Sequence, residues 1–314
     1  MYLFPITYAI LPQICHPRGS PGALPILLFS LQLLALRAAA QDSLSSASPA
    51  GGSELFNHVI ANQKQGEGDL SRYEFIQRVE KRKTGGDHDP VETKVWRVFP
   101  VGTGVDKLPL SADGKPPGAE SYRNDLEKLE KYLVWVAQEG PAQKEAYAKA
   151  ERKRKDRYDL IEATHLAFRF TFVGKERRDD RVLLRYSMAP NPEYKPTSRN
   201  STILTRVRGT LWIDEQSSQL AKVEGTVTED VSIALFLAKV YKGSHFMQER
   251  YEIAPGIWEP AFEQYDFDGR KYWMSFSIHE RTFFTNYKQV GPPKEAVEVV
   301  RAELSKLRAE KPSL

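Results

Sequence analysis

Glu259 and Glu263 stand four residues apart, and two carboxyl groups can in principle flank a glycosidic bond. Four residues apart in a strand they only share a face, so the pair gives no warrant for a hydrolase. Asp266-Phe267-Asp268-Gly269 has the paired aspartates of a calcium loop but no twelve-residue frame closed by a glutamate, and the spacing predicts a hairpin turn instead. His58, His88, His165, His245 and His279 are isolated, with none at metal-ligand spacing from another. No G-x-S-x-G elbow, H-E-x-x-H helix, P-loop or Gly-rich dinucleotide turn occurs. The expectation is a protein that is not an enzyme and uses no metal or cofactor.

The one cysteine, Cys15, lies near the start, so a chain trimmed beyond it has no disulfide and no thiolate. Ala23 to Leu36 is an apolar run too short to span a bilayer, with Arg18 and His16 before it and Ala38-Ala39-Ala40-Gln41 after it. Small residues at Ala38 and Ala40 suit signal-peptidase cleavage, so residues 1–40 read as a leader cut after Ala40 and the mature protein as periplasmic. Pro12, Pro17, Pro21 and Pro25 break any continuous anchoring helix. Leu11-Pro12-Gln13-Ile14 lacks the small residue that precedes a lipidated cysteine, which favours a soluble product. The 45 Lys and Arg nearly balance the 41 Asp and Glu, and no nucleic-acid partner is implied. Arg152-Lys153-Arg154-Lys155 reads as the solvated face of a helix.

Residues 41–52, rich in Ser, Ala, Pro and Gly, read as a flexible linker. Ser53 is placed to cap a helix to about Gln65; a hairpin follows, with strands from about Arg72 to Val79 and from Val91 to Val101. Asp106 to Gly118 reads as a Pro- and Gly-rich loop, then helices span about Glu120 to Glu139 and Ala142 to Ala163, split by Gly140-Pro141. From Leu166 the chain is a succession of strands joined by short turns, which implies an antiparallel sheet. The domain is expected over residues 53–290, with a C-terminal helix in residues 291–314 whose Val297, Val300, Leu304 and Leu307 fall at helical spacing.

Alternation gives this sheet one apolar face: Phe168, Phe170 and Phe172; Leu184, Tyr186 and Met188; Trp258 and Phe262; Tyr272, Met274, Phe276 and Ile278. A wide sheet with few helices to cover it predicts a concave surface able to take an acyl chain, and these twelve residues are the expected ligand-binding set. The same pattern also fits a closed core in which those side chains pack on one another.

Gly209-Thr210-Leu211-Trp212-Ile213-Asp214, followed by Gln219-Leu220-Ala221-Lys222-Val223-Glu224-Gly225, resembles a strand pair of the outer-membrane lipoprotein-sorting proteins. That superfamily includes the periplasmic carrier of the lipoprotein-localisation system and the lipid-sensing domain of envelope stress-response regulators. Lys242-Gly243-Ser244, Pro255-Gly256-Ile257-Trp258-Glu259-Pro260 and the order of elements extend the likeness over Glu54 to Tyr287. The resemblance implies an α+β fold, a curved antiparallel half-barrel whose concave face is covered by helices and binds acyl chains. Expected partners are a lipid or an acylated protein, with membrane-associated envelope proteins to load and unload it. An envelope sensor or protein-interaction module on the same fold stays open as the alternative, and an envelope hydrolase as a second one.

Overall fold

Period-two alternation governs most of the chain after Tyr73, and twelve strands follow from it. The computed structural model describes residues 52–84, 88–196, 200–233 and 238–309; the leader expected over 1–40, its expected cleavage site and residues 41–51 of the expected linker lie outside them. Helix α1 (Gly52–Asp69) leads into β1 (Tyr73–Arg82), β2 (Glu92–Pro100) and β3 (Val105–Ala112). Helices α2 (Ala119–Val136) and α3 (Pro141–Ala167) come next, with Pro141 at a first-turn position that suits proline. The strands β4 (Phe168–Arg178), β5 (Arg181–Pro190), β6 (Val207–Asp214), β7 (Leu220–Val227), β8 (Val231–Ile233), β9 (Ala238–Val240), β10 (His245–Ala254), β11 (Ile257–Lys271) and β12 (Met274–Gln289) follow. Helix α4 (Pro293–Ala309) comes last.

All pairings are antiparallel, in the order β3-β2-β1-β12-β11-β10-β7-β6-β5-β4, with β8 and β9 attached beside β11. β3 and β4 are edges, so the sheet stays open. The fold is α+β, as expected, and an open antiparallel sheet of this width agrees with a half-barrel.

The main core lies on what we call the inner face. There Phe56 and Val59 of α1 and Ala167 of α3 meet Leu184, Tyr186, Met188, Leu211, Val223, Phe246, Phe267 and Ile278. The helices do not all cover this face. Phe99 and Leu108, on the opposite face of β2 and β3, pack with Leu126, Leu129 and Leu133 of α2 and Val297, Val300 and Leu304 of α4. Arg97 bridges that layer, donating to Glu74 at 2.7 Å and to Glu303 at 2.6 Å.

Four local expectations change. The stretch read as a loop from Asp106 contains β3, where Pro109 is tolerated because the strand is an edge and sits beside a register shift. Leu166 still belongs to α3 and is exposed. Ser53 falls inside α1, which runs on to Asp69. Asp266 to Gly269 is not a turn but the middle of β11; Gly269 faces Phe276, and a Cβ there would meet the Lys239 carbonyl at 2.2 Å. That glycine serves a close approach of strands.

Candidate binding site on the inner face

The inner face is most aromatic where α1 and the end of α3 cross β4 and β5. Phe56 stacks on Phe170 with centroids 4.3 Å apart and meets Tyr186 edge-on at 5.3 Å. Phe172 meets Tyr186 at 5.4 Å, and the His165 ring lies 6.0 Å from Phe56. Phe168, Tyr186 and Met188 are buried, while Phe170 and Phe172 are half-buried near the open β4 edge. Three polar atoms here are buried with no hydrogen-bond partner: Tyr186 Oη, Tyr194 Oη and His165 Nδ1. Burial pushes the Tyr186 hydroxyl above its ordinary pKa, so it stays a neutral donor. Tyr194 also lines a cleft of about 380 Å³ whose rim carries Arg206, Arg208 and Glu229, with Arg206 paired to Glu229 at 3.2 Å. An aromatic wall with unpaired hydroxyls beside a cationic rim suits an apolar body with a polar or anionic head.

The twelve residues expected from alternation separate into three groups. Phe168, Phe170, Phe172, Leu184, Tyr186, Met188, Phe276 and Ile278 come together on the inner face, the first and fourth to sixth of them and Ile278 in packed core, Phe170, Phe172 and Phe276 at its margin. Trp258 joins Leu183, Trp212 and Ala221 in a separate cluster, with the Arg181 guanidinium 4.8 Å over its ring. Phe262 lies opposite Phe283, their centroids 5.1 Å apart, with Arg78 stacked 4.2 Å over the Phe283 ring on that same outer face. Tyr272 and Met274 stand exposed at the β11–β12 turn.

Phe262 faces outward because its neighbour Glu263 takes the inner position. Glu263 accepts from Gln248 Nε2 at 2.8 Å and from the Tyr265 hydroxyl at 3.0 Å, so its burial is compensated. Burial still raises its pKa to about 7. Glu259 is also raised to about 7 by burial, against the nearby Arg250 charge that lowers it. Arg250 donates to the Trp258 carbonyl at 2.6 Å and lies against Gly66 of α1, while Arg250 Nε, Glu259 Oε1, Gln248 Oε1 and Gln63 Nε2 have no partner. This polar belt on β10 and β11, separated from the aromatic wall by β6 and β7, escapes an alternation reading that takes only apolar positions as inward. Its signal was Gln248 and Glu263 sharing parity with Phe246, Tyr265 and Phe267. Among the described residues no group of three or more His, Cys, Asp or Glu side chains could hold a metal ion.

No protein-family model matches the chain, and no curated protein does. Solved structures do. Structures similar to this chain include lipoprotein-sorting proteins. A putative outer membrane lipoprotein-sorting protein domain from Vibrio parahaemolyticus is 11% identical over 78% of this chain and 99% of that one, with a TM-score of 0.31. A DUF1329 family protein from Desulfovibrio piger is 9% identical over 76% and 92%, with a TM-score of 0.29. A LolA superfamily protein from Nitrosomonas europaea is 9% identical over 79% and 98%, with a TM-score of 0.26. This is the group that the Gly209 to Gly225 strand pair resembles.

Within the chain, the Gly209 to Gly225 residues serve the backbone. Gly209 faces Gly225 across β6 and β7, and a Cβ on Gly209 would meet the Glu224 carbonyl at 2.0 Å. Asp214 Oδ1 accepts from the Ser217 amide at 2.8 Å and closes the turn.

Proposed function

We propose that this is a non-catalytic binding protein for the acyl chain of a lipid or lipoprotein, exported by its leader to the periplasm and acting as a carrier between envelope membranes. The observation that carries the reading is the Tyr186 hydroxyl, buried and unpartnered among Phe56, Phe170 and Phe172. Leaving such a donor unpaired costs about 1–3 kcal/mol, which a ligand carbonyl or carboxylate recovers. The roof over the wall is tied to the sheet through Asn62 of α1, which donates to the Ser217 and Ser218 carbonyls at 3.1 and 3.0 Å. Helix α1 contributes Leu55, Phe56 and Val59, and α3 contributes Leu160, Ala163 and Ala167 from its last turns. Lifting it exposes Phe170 and Phe172, and each acyl methylene then buried returns about 0.8 kcal/mol.

Titration of delipidated protein with a fluorescent fatty acid tests this. Tyr186→Phe keeps the ring and removes the hydroxyl, so we expect about a tenfold loss of affinity with unchanged or increased stability to urea. Equal binding by wild type and variant, or no binding by either, contradicts the reading.

A further inference from the structure

The β11–β12 hairpin ends in a turn whose composition does not serve folding. Lys271 pairs with Met274, so Tyr272 and Trp273 form a two-residue loop. Loops of this length favour Asn, Asp or Gly, because their backbone needs positive φ. Tyr272 takes φ +55° all the same, a conformation that a bulky side chain adopts at a cost. The side chains gain nothing back from packing: Tyr272 is 45%, Trp273 86% and Met274 57% exposed. Nor does the rest of the sheet shield them. Among the described residues β1 pairs with β12 only as far as His279, so Met274 to Ile278 have no partner strand on that side, and on the other side the short β9 accompanies the end of β11. From Gly269 to Phe276 the hairpin carries Arg270 and Lys271 and no acidic residue, with Lys271 Nζ 5.9 Å from the Tyr272 ring.

We propose that this tip is a membrane-contact element that seats Tyr272, Trp273 and Met274 in the headgroup region of an anionic bilayer. Trp and Tyr partition to that depth, where an apolar ring and a polar edge are both satisfied. Arg270 and Lys271 supply the charge complement, since basic side chains near an anionic leaflet are drawn to it. A strained turn that exposes three large apolar side chains directly after two basic ones matches that surface, whereas an aqueous setting leaves both features without a purpose. The inference goes beyond the acyl-binding proposal and does not depend on it, because the tip and the inner aromatic wall are separate surfaces.

The test is tryptophan fluorescence of the full chain with vesicles of equimolar phosphatidylglycerol and brominated phosphatidylcholine. Of the five tryptophans only Trp273 is strongly exposed. We expect quenching by these vesicles, its loss in Trp273→Ala, and vesicle affinity about tenfold weaker or worse in the double variant Arg270→Glu, Lys271→Glu. Fatty-acid uptake by Trp273→Ala should equal wild type, which separates failure here from failure of the inner site. Absence of quenching in wild type, or undiminished quenching in Trp273→Ala, overturns the proposal. So does a concentration-dependent dimer that shields Trp273 without vesicle binding, which would make a second copy of the chain the partner.

Discussion

Glu263 is the residue where chemistry and stability meet most sharply. Its carboxyl is buried, hydrogen-bonded by Gln248 and Tyr265, and holds its proton to about pH 7. A neutral Glu263 can also donate, and Gln248 Oε1 beside it has no partner. Because its folded pKa is raised above the unfolded value of 4.5, the native state binds the proton more tightly between pH 4.5 and about 7. Stability from this group therefore falls as pH rises through that window, by a total on the order of a few kcal/mol, and is level above it. Glu259 acts in the same direction. Glu263→Gln should flatten the pH dependence of urea unfolding between pH 5 and about 7.5 and make the variant the more stable form at the alkaline end. A slope equal to that of wild type would show that Glu263 ionises freely in the folded protein.

At the scale of elements, what was legible in the sequence followed from periodicity, and what was not followed from pairing. Leu126, Leu129 and Leu133 marked α2, and Phe168, Phe170 and Phe172 marked one face of β4, because a 3.6 or 2.0 repeat needs no knowledge of the partner. The hairpin turn was misplaced because Asp266 to Gly269 has the composition of a turn, while the true turn, Tyr272-Trp273, has none of it. Gly269 and Gly209 are glycine for the strand beside them, which only the assembled sheet reveals. Alternation alone points Phe262 inward because Glu263 next to it is charged; the buried donors that reverse this come from other positions. Gly209→Ala tests the pairing argument. Its Cβ would lie 2.0 Å from a backbone oxygen of the neighbouring strand, and overpacking of this kind costs about 1–3 kcal/mol or more. Urea unfolding should show that loss with a circular-dichroism spectrum still of the native type, and an unchanged midpoint would mean that β6 and β7 part easily.

Across the whole molecule, an open sheet divides the helices between its faces. α2 and α4 close the outer side of β2 and β3 around Phe99 and Leu108, and Arg97 ties them down through Tyr122 of α2 and Glu303 of α4. The inner side is covered by α1, the end of α3 and Ile203 and Leu204 of the short helix Asn200–Arg206, and it is there that aromatic rings, unpaired hydroxyls and buried carboxyls collect. Among the described residues no helix is long and apolar enough to cross a membrane. Photo-crosslinking tests the central claim most directly: the protein is irradiated with a fatty acid bearing a diazirine near its carboxyl end, and the labelled residues are mapped by mass spectrometry. Acyl binding on the inner face predicts labels on Phe170, Phe172 and Tyr186 and on Phe56 opposite them. Labels confined to the outer-face Trp212, Trp258 and Phe262, or a chain that takes no label, would contradict it.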